Sequence, residues 1–104
     1  MTREAAVGLA QAHFDSGAFF ADLARRVAIR TESQKPESGP ALQSYLADEW
    51  MPSIKALGFQ GEIHANPVAP YGPLLVASRM ESPHLPTVLI YGHADVIRGQ
   101  DASW

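Results

Sequence analysis

Apolar residues recur at three- and four-residue spacing through the first half of the chain, then gather into short runs punctuated by proline and glycine. Thr2 to Phe14 reads as an alanine-rich helix with Thr2 as N-cap and Val7, Leu9, Ala10 and Phe14 as its apolar positions. Asp15-Ser16-Gly17 interrupts it. Ser16 is placed to cap a second helix, running to about Ile29, that buries one face through Phe19, Phe20, Leu23, Ala24 and Val27. Thr31 to Gly39 is polar and reads as a loop. Pro40 then opens the longest helix, whose stripe is Leu42, Leu46, Trp50, Ile54 and Leu57. Pro52 lacks an amide donor and crowds the preceding turn, which predicts a kink near Trp50, and Gly58 supplies a left-handed stop.

Beyond the helices the period changes. Phe59 to His64 reads as a short strand broken by Gly61, and Leu74 to Met80 as a more apolar one. Asn66-Pro67 and Pro70-Tyr71-Gly72-Pro73 are turn signals that would let these two pair antiparallel. Thr87 to Tyr91, bounded by Pro86 and Gly92, is a continuous apolar and β-branched run, the pattern of a strand covered on both faces. The expected architecture is therefore α/β, with helices packed on a partial mixed sheet of three strands.

Composition narrows the function. The 104 residues and 46% hydrophobic content suit one small domain, and eleven acidic against eight basic residues give a net charge of −3 without long runs of one sign. That balance offers no electrostatic footprint for nucleic acid. Cysteine is absent, which removes disulfides and thiolate chemistry and fits a reducing compartment. No signal peptide is read at Met1-Thr2-Arg3-Glu4, and no run approaches the roughly 20 apolar residues of a membrane span, so a soluble, cytoplasmic protein is expected.

Candidate chemistry sits at the end of the most apolar run. Open α/β sheets place ligand crevices at the carboxyl ends of their strands, and there the chain carries His93-Ala94-Asp95. Side chains two apart on extended backbone share a face, about 6 to 7 Å apart at their roots. Asp95 can then accept the proton of one ring nitrogen of His93 and leave the other as an outward lone pair, as in histidines that bind zinc.

Leu89-Ile90-Tyr91-Gly92-His93-Ala94-Asp95-Val96-Ile97, followed by a short polar loop and Trp104, resembles the N-terminal signature of the co-catalytic zinc hydrolases that include acetylornithine deacetylase, succinyl-diaminopimelate desuccinylase, aminoacylase and the glutamate carboxypeptidases. Val27-Ala28-Ile29-Arg30-Thr31-Glu32-Ser33, the helix from Pro40 to Leu57-Gly58-Phe59 and the strands after it follow that family's order. The chain departs from it at Arg98, where many members carry proline.

The resemblance implies that His93 is a zinc ligand and that Asp95 is the catalytic-site carboxylate orienting it. It further implies a site of two zinc ions that hydrolyses amide bonds of peptides or N-acyl amino acids through a metal-activated water. The family's metal-bridging aspartate, its glutamate pair with the general base, a further carboxylate ligand and a final histidine have no counterparts in residues 1–104. The chain is accordingly expected to be the N-terminal part of a zinc-exopeptidase-like three-layer catalytic domain, without the rest of that domain or the dimerisation domain. Alone it would be inactive and bind no zinc, and its exposed sheet edge would favour self-association.

The other histidines, His13, His64 and His84, are read as non-catalytic, Glu32 as a solvated loop carboxylate, and Arg25 and Arg26 as a solvated face. The rival reading is a non-enzymatic α/β interaction domain in which His93 and Asp95 are a polar strand end. A different metal hydrolase would carry His-x-His or Asp-x-His at this strand end, and neither occurs there.

Overall fold

A computed structural model describes residues 1–68, 71–100 and Ala102; Pro70, expected in a turn, and Trp104 of the motif lie outside the described residues. Helix α1 spans Arg3–Asp15, and the Thr2 hydroxyl caps it by accepting from the Ala5 amide at 3.2 Å. Gly17, at φ 79°, turns the chain into α2 (Ala18–Val27), so the N-cap of α2 is glycine and not the expected Ser16. Ser16 instead ends α1, its hydroxyl donating to the His13 carbonyl. α2 also stops two residues short of Ile29.

After a 3-10 turn at Pro36–Ser38, one helical rod runs in three parts: α3 (Gly39–Ser44), a π-helical turn (Tyr45–Trp50) and α4 (Met51–Ala56). The wide turn lies immediately before Pro52, where proline withholds an amide and its ring crowds the carbonyl four residues earlier. The distortion expected near Trp50 takes that form. The rod ends in a Schellman cap: Gly58 at φ 83° donates to the Lys55 carbonyl and Phe59 to the Ile54 carbonyl. Arg79 adds a donor to the Leu57 carbonyl.

Strands β1 (Gln60–His64) and β2 (Leu74–Ser78) pair antiparallel, with Gly61 opposite Ala77 and Ile63 opposite Leu75. Gly61 does not break β1. A Cβ there would stand 2.8 Å from Ile54 Cδ1 and 3.0 Å from Met51 Sδ, so α4 rests its side chains directly on the strand backbone.

The molecule is thus helices with a small two-stranded antiparallel sheet, and the third expected strand is not formed. Thr87 to Tyr91 joins no ladder, and Val88, Leu89, Ile90 and Tyr91 are exposed, Leu89 at 93%. A strand buried on both faces needs neighbours at its edges and cover above and below, and the described residues supply neither. The chain is tied back only further on, where Val96 bridges Glu32 in parallel.

Among the described residues the buried apolar side chains are Leu42 and Leu46 alone, at 7% and 5% exposure. The α2 stripe has the expected period but lacks cover: Phe19 packs on Phe14 at 5.9 Å, yet Phe20, Leu23 and Val27 remain exposed. Leu57, assigned to the core stripe, is exposed as well. Arg25 and Arg26 are not merely solvated. Arg25 binds Glu49 at 2.9 Å, while Arg26 donates to Ser53 and lies over the Trp50 ring at 5.1 Å, joining α2 to the rod. The Cα radius of gyration is 16.5 Å, against about 13 Å for a close-packed domain of this length.

Two substitutions follow from this packing. Leu46→Ala empties the centre of the small core and should lower the unfolding free energy by roughly 2 to 5 kcal/mol. Gly8→Ala, in the interior of α1 with nothing within 4 Å of the added carbon, should raise it by about 0.5 to 1 kcal/mol. Urea unfolding followed by circular dichroism measures both.

Candidate metal centre

The His-x-Asp spacing brings its two side chains together. His93 Nδ1 lies 3.4 Å from Asp95 Oδ1, and the other ring nitrogen, Nε2, faces away with the Tyr91 hydroxyl at 3.2 Å. Asp95 Oδ2 accepts a 2.6 Å hydrogen bond from the Ser33 hydroxyl, across 62 residues of chain. An ionised carboxylate only accepts, so Asp95 Oδ1 is placed to accept from Nδ1, an arrangement that would leave Nε2 as the acceptor for the Tyr91 hydroxyl. The imidazole is exposed and the carboxylate partly so, at 73% and 41%.

The Ser33 hydrogen bond holds the Asp95 carboxyl below the ordinary aspartate range, with smaller contributions from its own backbone amide and from His93, and partial desolvation opposes them.

These groups stand on one wall of a groove of about 610 Å³ between β2 and the 90–95 segment, with Leu42, Leu46 and Trp50 also lining it. Apolar lining with a few convergent polar groups is the usual make-up of a ligand cleft. A concavity of about 480 Å³ along α1 is formed by that helix alone and contains none of these residues.

What orients the wall is a clamp between residues 31–35 and 95–99. Val96 donates its amide to the Thr31 carbonyl at 2.9 Å, Gly99 to Glu32 Oε2 at 2.8 Å, and Arg98 Nη2 to the Gln34 carbonyl at 3.0 Å. Glu32, expected to be solvated, is 12% exposed and paired with Lys35 at 2.7 Å. Lys35 first, then the Gly99 amide, hold its carboxyl below the ordinary glutamate range. Arg98, where the motif departs from its usual residue, belongs to the same clamp.

As a metal site the donor set is partial. A neutral imidazole oriented by a carboxylate is a competent zinc ligand, but zinc sites use about three or four protein ligands. Among the described residues no group of three or more His, Cys, Asp or Glu gathers around a common point. His13 meets Asp22 at 3.5 Å and His64 meets Glu62 at 3.4 Å. His64 and Glu62 are both exposed. Ser33, Tyr91 and Glu32 received no site role from the sequence: no periodicity links residues 33 and 95, and Tyr91 reads as one more apolar strand residue.

No helix among the described residues is long and apolar enough to cross a membrane. Comparison of the chain with protein-family models, with curated proteins and with solved structures found no match.

The Glu32 pair has a pH consequence. Its carboxyl titrates lower folded than unfolded, so the unfolded chain takes up the proton first as pH falls. The stabilisation is complete above the ordinary glutamate pKa of about 4.3 and disappears as pH drops through the depressed value. Urea midpoints measured from neutral pH to pH ~3 should fall more steeply for the wild type than for Glu32→Gln, the two converging at the acid end.

Proposed function

We propose that the chain is the N-terminal part of the catalytic domain of a zinc-dependent amide hydrolase, of the family whose signature its 89–97 segment resembles. The observation that carries this reading is the orientation of His93 beside a groove: Nδ1 is turned to Asp95 and Nε2 away from it, next to the Tyr91 hydroxyl. His93 is the residue that would hold one zinc ion, and Asp95 the group that fixes its tautomer and raises its basicity. Zinc, when bound, supplies an acidified water and polarises the carbonyl under attack. The general base and the remaining ligands lie outside residues 1–104 in this reading. So does the cover for the apolar Thr87–Tyr91 run.

The substrates proposed are N-acyl amino acids or short peptides. The groove is apolar enough to seat an acyl or side-chain group, and it carries no basic cluster for a polyanion. The cysteine-free composition favours a reducing compartment such as the cytoplasm. The outer edge of β2 and the exposed 85–91 run together favour self-association of residues 1–104 expressed alone. The exposure of His93 also suits the rival, a polar end on an interaction domain, so the test must separate the two.

That test is zinc content and hydrolysis of an N-acyl amino acid by the polypeptide carrying the full ligand set. His93→Ala should lose at least one equivalent of zinc together with turnover, and Asp95→Asn should weaken zinc binding about 10- to 100-fold. Undiminished metal and turnover in His93→Ala would rule the hydrolase reading out. Residues 1–104 alone should retain no zinc through dialysis.

A further inference from the structure

Asp95 has two oxygens, and the structure gives each a separate task. Oδ1 faces His93 Nδ1 and Oδ2 accepts from Ser33 at 2.6 Å, a short bond of the charge-assisted kind. A carboxylate this exposed, on an irregular segment, would otherwise rotate about its last bond and exchange the imidazole for water. Ser33 prevents that rotation, and Ser33 is itself immobilised. The carbonyls of Thr31 and Gln34 and the side chain of Glu32, on both sides of it, are hydrogen-bonded to Val96, Arg98 and Gly99.

We propose that Ser33 is a positioning residue: through Asp95 it sets the tautomer of His93 and so decides that Nε2 is the nitrogen offered to a ligand. The serine lines the groove beside Asp95, and its hydroxyl binds the carboxylate and not the imidazole. Its consequence for zinc rests on the function proposed above, whereas its effect on the imidazole does not.

Two groups meet the ring nitrogens, the carboxylate at Nδ1 and the Tyr91 hydroxyl at Nε2. The experiment therefore uses a Tyr91→Phe background, so that the readout reports the carboxylate side alone. Nitrogen-15 spectra of the His93 ring, recorded above the pH range in which imidazole is protonated, give the ratio of the two neutral forms.

With Ser33 present the proton should reside mainly on Nδ1. Ser33→Ala should move the ratio toward Nε2 protonation by about five-fold, the effect of losing one hydrogen bond of ordinary strength. Ser33→Thr, which keeps the hydroxyl, should restore it. Unchanged far-UV circular dichroism and urea midpoint separate this from loss of fold. Should Ser33→Ala unfold, Ser33→Cys keeps the volume with a weaker donor and should shift the ratio in the same direction.

A ratio unmoved in a folded Ser33→Ala protein overturns the proposal. In the polypeptide with the full ligand set, Ser33→Ala should also weaken zinc binding about ten-fold, at the low end for loss of an orienting partner. A shifted tautomer with unaltered zinc affinity would leave the positioning role standing and count against the zinc reading instead.

Discussion

The arrangement of the candidate site depends on the docking of residues 95–99 against residues 31–35. Two loop-like stretches more than sixty residues apart are joined by two backbone amides, a serine hydroxyl and a guanidinium, with Thr31, Glu32, Asp95 and Gln34 as their acceptors. Closing so large a loop has an entropic cost that no single exposed hydrogen bond offsets. Four contacts made side by side share that cost, because ordering one fixes the backbone for the next. Among the described residues the Thr87–Tyr91 run that precedes them has no such backbone partners, and its apolar side chains are exposed.

Much of the local structure was legible in the chain because it depends on local chemistry. Thr2 caps α1, Gly58 ends the rod in the left-handed conformation, Pro52 distorts the helix before it, and the two short apolar runs pair as a hairpin. These follow from side chains acting within a turn or two of themselves. The misassignments lie where distant residues decide. Gly61 looked like a strand breaker because the sequence does not show that Ile54 and Met51 press against its backbone. Arg25 and Arg26 looked solvated because their partners, Glu49, Ser53 and Trp50, belong to another helix. The burial inferred for Thr87–Tyr91 is a statement about neighbours, and a pattern of side chains does not supply neighbours.

The candidate site divides in the same way. That His93 and Asp95 would meet followed from the two-residue repeat of extended backbone, and they do meet. That Asp95 would be gripped from behind by Ser33, and the far nitrogen of His93 be met by Tyr91, did not follow, since neither relation has a period or a motif. Glu32 illustrates the converse error. In the sequence it reads as a solvated loop carboxylate, whereas the fold gives it a backbone amide and a lysine to bind.

The π turn before Pro52 inserts extra backbone into what would otherwise be one uniform helix, and so turns the two halves of the rod out of phase. Leu42, ahead of it, and Leu46, within it, look into the groove, with Leu42 also reaching Gly72, while Met51 and Ile54, behind it, look onto the bare backbone of Gly61. One rod thereby serves two surfaces. The interruption ahead of Pro52 thus lies where the rod passes from flooring the cleft to backing the hairpin.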